Sequence, residues 1–201
     1  YYLYIRLSGL GSQIFLLCKL RFVKEDGVEL SSKIYLFQGL PKADKMELII
    51  QKAVELGVYE VVPVAAKRSV VKLDAKKEGA KLARWQGIAE AAAKQSRRRV
   101  IPQIHPVMTM KEAAAYASGM DVGLIPYELA EGMGKTKELV SSLHGGQSVA
   151  VFIGPEGGFE ESEIGLAREA GIEPVTMGRR ILRTETARLA MLSWIMYQLE
   201  N

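Results

Sequence analysis

Cysteine is almost absent from this chain of 201 residues and histidine is scarce: Cys18 stands alone beside His105 and His144. One thiol cannot close an internal disulfide, and three scattered soft ligands do not make a zinc centre. Metal chemistry is therefore not expected, and a reducing cytoplasm fits. Long apolar runs are also lacking; none reaches the roughly 20 residues that cross a bilayer, so no membrane partner is expected. The apolar opening, residues 1–20, is interrupted by Arg6, Gly9, Gly11 and Gln13 and has no basic segment ahead of it, so it does not read as a secretion signal. No initiator methionine begins the chain, from which we expect further residues ahead of Tyr1. Internal repeats and low-complexity tracts are missing as well.

What is present describes a globular chain. Hydrophobic residues make up 48% and charged residues 25%, a balance that supports a buried core and excludes a disordered chain. The length suits one large domain, or one domain with a small appendage. The formal net charge is +4, and the basic residues cluster: Lys94 with Arg97, Arg98 and Arg99, then Arg179, Arg180 and Arg183. Such runs serve either as solvated faces or as contacts to a polyanion such as nucleic acid.

From residue 34 onward, short apolar runs alternate with helical patterns. Residues 34–40 (IYLFQGL), 58–64 (VYEVVPV), 122–127 (VGLIPY), 148–154 (SVAVFIG) and 174–177 are predicted strands, with a weak one at 104–107. Helices are predicted over 44–56, 81–98, 111–117, 137–143, 161–170 and 184–199. Asp44 is placed to cap the first of these and Thr184 the last. Strands separated by helices predict a parallel sheet covered on both faces, with ligands at the carboxyl ends of the strands. Residues 34–201 should thus form one α/β domain. Residues 1–33 differ: 14–23, a turn at 25–27, and 28–30 read as a β-hairpin, the remnant of a small N-terminal β module.

Three loops have the composition of sites. Gly154-Pro155-Glu156-Gly157-Gly158-Phe159 follows the strongest strand and precedes a helix. Its glycines free the backbone for close approach to a ligand, although the same residues suit a tight turn with none. It is not a dinucleotide fingerprint. Residues 132–136 (GMGKT) imitate the end of a phosphate-binding loop, but the full motif needs a glycine where Leu129 stands. In residues 177–187 (MGRRILRTETA), Ile181 and Leu182 either anchor the loop to the core or wall a slot for a flat ring, and the adjoining arginines suit an anion.

The strings KADKMELIIQKAVELGV (42–58), RSVVK (68–72), RWQGIAEAAAKQSRR (84–98), FIGPEGGFEESEI (152–164) and MGRRILRTETARLAML (177–192) closely resemble the RsmE family, the 16S ribosomal RNA uridine N3-methyltransferases of the SPOUT superfamily. The resemblance covers most of residues 34–201. It implies an α/β SPOUT-type parallel sheet with a C-terminal trefoil knot, S-adenosyl-L-methionine as methyl donor, 16S ribosomal RNA in the small ribosomal subunit as substrate, a homodimer with the active site near the subunit interface, and a PUA-like β-barrel at the N-terminus, of which residues 1–33 would be part. Carried over by motif, the donor site comprises Pro126, Tyr127 and Glu128; Ile153, Gly154, Pro155, Glu156, Gly157 and Gly158; and Met177, Gly178, Ile181, Leu182, Arg183, Thr184 and Ala187. RNA contacts fall to Arg68, Lys94, Arg97, Arg98 and Arg179.

In such a reaction N3 of uridine carries a proton and is a poor nucleophile until that proton leaves. A cation near O2 or O4 would stabilise the anion, and Arg183 is the first candidate, unless it is spent in a salt bridge with Glu185 or Glu156. The proton would pass to Glu156, Glu185, water or the RNA itself. Two rivals stand beside this reading: a non-catalytic RNA-binding protein using the same basic face, and an ATPase using residues 132–136.

Overall fold

Alternate residues of each central strand face opposite cores, and this alternation sets the layers. In the computed structural model, which describes residues 2–9, 12–19, 27–71, 75–130 and 132–200, the elements run β1 (Tyr2–Gly9), β2 (Ser12–Lys19), β3 (Lys33–Gly39), α1 (Lys45–Glu55), β4 (Glu60–Ala65), α2 (Ala75–Gln95), β5 (Gln103–Ile104), β6 (Met108–Thr109), α3 (Met110–Ala117), β7 (Val122–Pro126), α4 (Met133–Ser141), β8 (Ser148–Ile153), α5 (Glu161–Glu169), β9 (Ile172–Val175) and α6 (Thr184–Leu199). Among the described residues, β3 to β9 form one sheet in the order β5-β4-β3-β8-β7-β9, with β6 also on β4. Every pairing in that sheet is parallel.

Leu36, Val61, Leu124 and Val151 enter one core with α1, α2 and α6. Their neighbours Phe37, Val62, Ile125 and Phe152 enter the other, with α3 and α5. Phe37 and Phe152 stack across β3 and β8 with ring centroids 4.3 Å apart. On α1 the buried residues are Met46, Ile49, Ile50, Ala53 and Val54, the spacing of one helical face. Because all strands run the same way, the loops leaving β7, β8 and β9 gather at one end, beside the head of α1.

The structure moves some expected boundaries. A hairpin pairing stands nearer the N-terminus than expected: β1 and β2 pair antiparallel from Tyr2 with Lys19 to Gly9 with Ser12. Of the hairpin expected over 14–30, residues 20–26, the end of its first strand and most of its turn, lie outside the described residues, and 28–30 are not a strand. Asp44 precedes α1 but makes no side-chain capping bond. α2 starts six residues earlier than its apolar pattern indicated and stops at Gln95. There Arg97 takes φ +60°, and the amide of Arg98 donates to Ala93 O at 2.9 Å. This is the six-to-one closure that glycine usually provides. None of the described helices is long and apolar enough to cross a membrane.

Candidate active site

A cavity of about 460 Å³ opens at the carboxyl ends of β7, β8 and β9. Its walls are residues 126–128, 153–159 and 176–185 with Ala187, joined by Lys45 and Arg68. Every residue expected to hold the donor lines this one space: Pro126, Tyr127 and Glu128 after β7, Ile153 to Gly158 after β8, and Met177, Gly178, Ile181, Leu182, Arg183, Thr184 and Ala187 after β9. The volume is that of a site for a drug-sized molecule.

Hydrogen bonds between distant segments set the walls. The hydroxyl of Thr184 donates to Gly154 O at 2.6 Å, and Gln38 Nε2, fully buried at the end of β3, donates to Thr184 Oγ1 at 3.3 Å. Thr184 was expected to cap α6; instead it is the first helical residue, Arg183 holds the cap position without a side-chain bond, and the hydroxyl ties the helix to the glycine loop. At Gly39 an added Cβ would lie 2.5 Å from Pro155 Cδ and 2.6 Å from Pro155 N, so the end of β3 supports that loop closely. Gly158 and Gly178 hold φ of +68° and +103°, values that glycine reaches without steric cost. On the third wall, the amide of Tyr127 donates to Val175 O at 2.9 Å.

The GMGKT segment belongs to this framework. It starts α4; the buried Thr136 donates its hydroxyl to Thr176 O at 2.8 Å, and Lys135 pairs with Glu173. Both side chains that a phosphate-binding loop would offer are committed to the fold.

The electrostatics centre on a residue the sequence reading left out. Lys45, the first residue of α1, places Nζ 3.0 Å from Glu156 Oε1 and 2.7 Å from Glu185 Oε1. The Lys42 amide lies 3.2 Å from both Glu156 oxygens. Burial would raise the Glu156 carboxyl, but the Lys45 ammonium and the amides of Glu156 and Lys42 outweigh it and hold the group below the usual range. The hydrogen bond from Lys45 likewise lowers Glu185, helped by its own amide and by the charges of Lys45 and Arg183. Carboxylates held this way are weak acceptors for a proton. Among the described residues Arg183 makes no ion pair with Glu185 or Glu156, so its exposed guanidinium is available. Lys45 was legible only as one cation at a helix head; its two partners lie 111 and 140 residues away.

The expected RNA contacts divide. Arg68 lies on the cavity and donates to Gly157 O at 3.0 Å, and Arg179 is exposed on its rim. Lys94 and Arg97 are exposed where α2 ends, at the amino ends of the strands and thus across the sheet from the cavity. Arg98 is corrected: its side chain is only 3% exposed. It donates to Val54 O and Val58 O at 3.0 and 2.6 Å and pairs with Glu29 at 2.6 Å. Glu29 in turn accepts from the amides of Arg99 and Val100. A guanidinium with these partners is a fold-forming group and offers nothing to a phosphate.

Comparison with known proteins places this geometry. Residues 28–196 match the RNA methyltransferase domain family. The ribosomal RNA small subunit methyltransferase E of Bacillus subtilis (strain 168) is 40% identical over 198 residues, covering 91% of this chain and 77% of that protein. The structure of a ribosomal RNA small subunit methyltransferase E from Neisseria gonorrhoeae bound to S-adenosyl methionine superposes with a TM-score of 0.74 at 36% identity, over 85% of this chain and 68% of that one. The Aquifex aeolicus TrmH/SpoU tRNA modifying enzyme, at 13% identity and a TM-score of 0.54 over 87% of this chain and 78% of its own, shares the fold. With the cavity formed by the loops in which the motifs lie, the chain belongs to the RsmE family of small-subunit ribosomal RNA methyltransferases.

Proposed function

We propose that the cavity holds S-adenosyl-L-methionine and that the enzyme methylates N3 of a uridine in 16S ribosomal RNA. The enzyme is a methyltransferase of small-subunit ribosomal RNA, and S-adenosyl-L-methionine is its methyl donor. The observation that carries the site reading is the junction of the glycine loop with the start of α6, through Thr184 and Gly154. Neither rival, a non-catalytic RNA grip or an ATPase, needs such a junction. The residues present fit the donor: a glycine loop, a volume of about 460 Å³ and apolar walls at Ile153, Met177 and Leu182 suit a flat ring and a short zwitterionic tail.

The donor supplies a methyl group already activated on a sulfonium. What this chain adds is alignment, exclusion of water and charge. The three loops orient the donor. Arg183, exposed at the rim, stabilises the negative charge that uracil gains when its N3 proton leaves. Glu156, its oxygens already bonded, serves as a wall brace rather than as the base; with Glu185 held low in the same way, the proton goes to water or to the RNA itself. Arg68 and Arg179 lie where RNA phosphates would approach, and Lys94 and Arg97 would meet RNA only at the far end of the sheet.

The finer family features belong to the same reading. A trefoil knot is supported by the path of the chain: β9 pairs with the outer side of β7, and the segment after it returns to set Thr184 against Gly154 and Gln38. A homodimer is supported by Leu48 on α1 and Leu189 on α6, exposed on two helices that touch. Residues 1–33 would belong to a PUA-like barrel, with β1 and β2 as two of its strands, and the enzyme would work in the cytoplasm on the small ribosomal subunit.

Calorimetry with S-adenosyl-L-methionine and mapping of methyluridine in 16S ribosomal RNA test this together. Arg183→Ala should lower methyl transfer about 100-fold and donor binding far less. Absence of donor heat in the wild-type protein rejects the site; unchanged turnover in the variant rejects the role of Arg183.

A further inference from the structure

Uracil N3 sits between two carbonyl carbons. When its proton leaves, the charge spreads over N3, O2 and O4, so a single cation meets only half of the developing charge. Among the described residues, Lys45 is the lone lysine on the cavity wall. Of its three N–H donors, Glu156 and Glu185 take two, at 3.0 and 2.7 Å. The third has no protein acceptor among the described residues, and the side chain is 36% exposed. Glu185 lies two residues after Arg183 and bonds Lys45 directly, so the two cations share one neighbourhood.

We propose that Lys45 is a second catalytic cation: its remaining N–H donates to one carbonyl oxygen of the uracil that enters the cavity, while Arg183 takes the other. The proposal rests on the reading of the cavity as the donor site. The hydrogen bonds it donates to Glu185 and Glu156 raise the Lys45 ammonium, which suits it to act as a charge rather than as a base. With both oxygens neutralised, the N3–H bond breaks and its proton passes to water. The N3 electron pair then bonds the methyl carbon as the sulfur–methyl bond breaks, and that bond's pair stays on sulfur as a neutral thioether.

The test is Lys45→Met beside Lys45→Arg, read by calorimetry for the donor and by single-turnover methylation of small-subunit ribosomal RNA across pH at saturating donor. Lys45→Met should lower the saturated rate about 100-fold and move its rise to higher pH by about one unit, toward the behaviour of free uridine. Lys45→Arg should bring the profile back. If Lys45 merely braces the two walls, Lys45→Met will weaken donor binding and leave the pH profile of the saturated rate in place; that result overturns the proposal, as does an unchanged rate. Should Lys45→Met fail to fold, Lys45→Gln, which retains an N–H without the charge, must show the same displaced profile. No donor heat from the wild-type protein removes the donor-site reading and this proposal with it. Donor heat with an unmoved profile removes the proposal alone.

Discussion

Thr184 and Gly154 are separated by 30 residues of sequence and by 2.6 Å in the fold, hydroxyl to carbonyl oxygen. One hydroxyl therefore fixes the spacing of two cavity walls, and it receives the Gln38 amide from a third direction.

Thr184→Val keeps the shape of the side chain and removes that hydroxyl. The half-buried Gly154 carbonyl loses its partner, and the buried Gln38 amide keeps only Gly39 O and Ile153 O, a change that costs about 1–3 kcal/mol. The expected outcome is a lower midpoint in urea and a donor affinity reduced by about tenfold or more, measured by calorimetry. Serine in the same place should restore most of both.

Gly39→Ala tests the support from below. The new methyl would collide with Pro155 Cδ at 2.5 Å and Pro155 N at 2.6 Å, closer than a Cβ tolerates, and the glycine loop must move. Donor affinity should fall more than global stability, since Gly39 ends its strand. An unchanged dissociation constant would show that the loop adjusts freely.

Arg97 and Arg98 are neighbours with opposite roles. Arg98→Ala leaves Val58 O and part of Glu29 without their partner and takes one of two donors from Val54 O, and should destabilise the protein by about 3 kcal/mol or more in denaturant. Arg97→Gly relieves a left-handed residue and should stabilise it by about 1 kcal/mol. Filter binding to 16S ribosomal RNA at fixed salt then isolates any RNA contact by Arg97, since that variant keeps the fold.

The carboxylates around Lys45 give a pH dependence with a definite sign. Both Glu156 and Glu185 have folded values below the ordinary carboxylate range. Their contribution is fully present above the unfolded value of about 4.3 and is lost as pH falls through the lower folded values. Unfolding midpoints followed from pH 6 down to pH 3 should decline more steeply for the wild-type protein than for Glu185→Gln. Parallel slopes would mean that the ion pairs add nothing to the folded state.

The helical faces were legible because they repeat within a few residues. The buried set on α1 follows the 3.6-residue period, and α6 spans the predicted 184–199. The SVAVFIG strand was likewise visible as an apolar run, and its β8 occupies 148–153. The hairpin was misplaced because the glycines at 9 and 11 and the glycine at 27 give similar turn signals, and only strand pairing chooses between them. The loop residues of the cavity came from motif resemblance; their chemistry alone left both a tight turn and a ligand loop open.

The sequence by itself determined the alternation of strands and helices, the loops that carry glycine and arginine, and the family, because these depend on residue order and local periodicity. Tertiary structure alone decided that Lys45 joins Glu156 to Glu185, that Arg98 is spent inside the fold, and that Thr184 ties a helix to a loop instead of capping it. Each of those depends on partners 30 to 140 residues away. A hydrogen bond or ion pair acts over about 3 Å, and which groups come that close is fixed by how the sheet is ordered and how the chain crosses it.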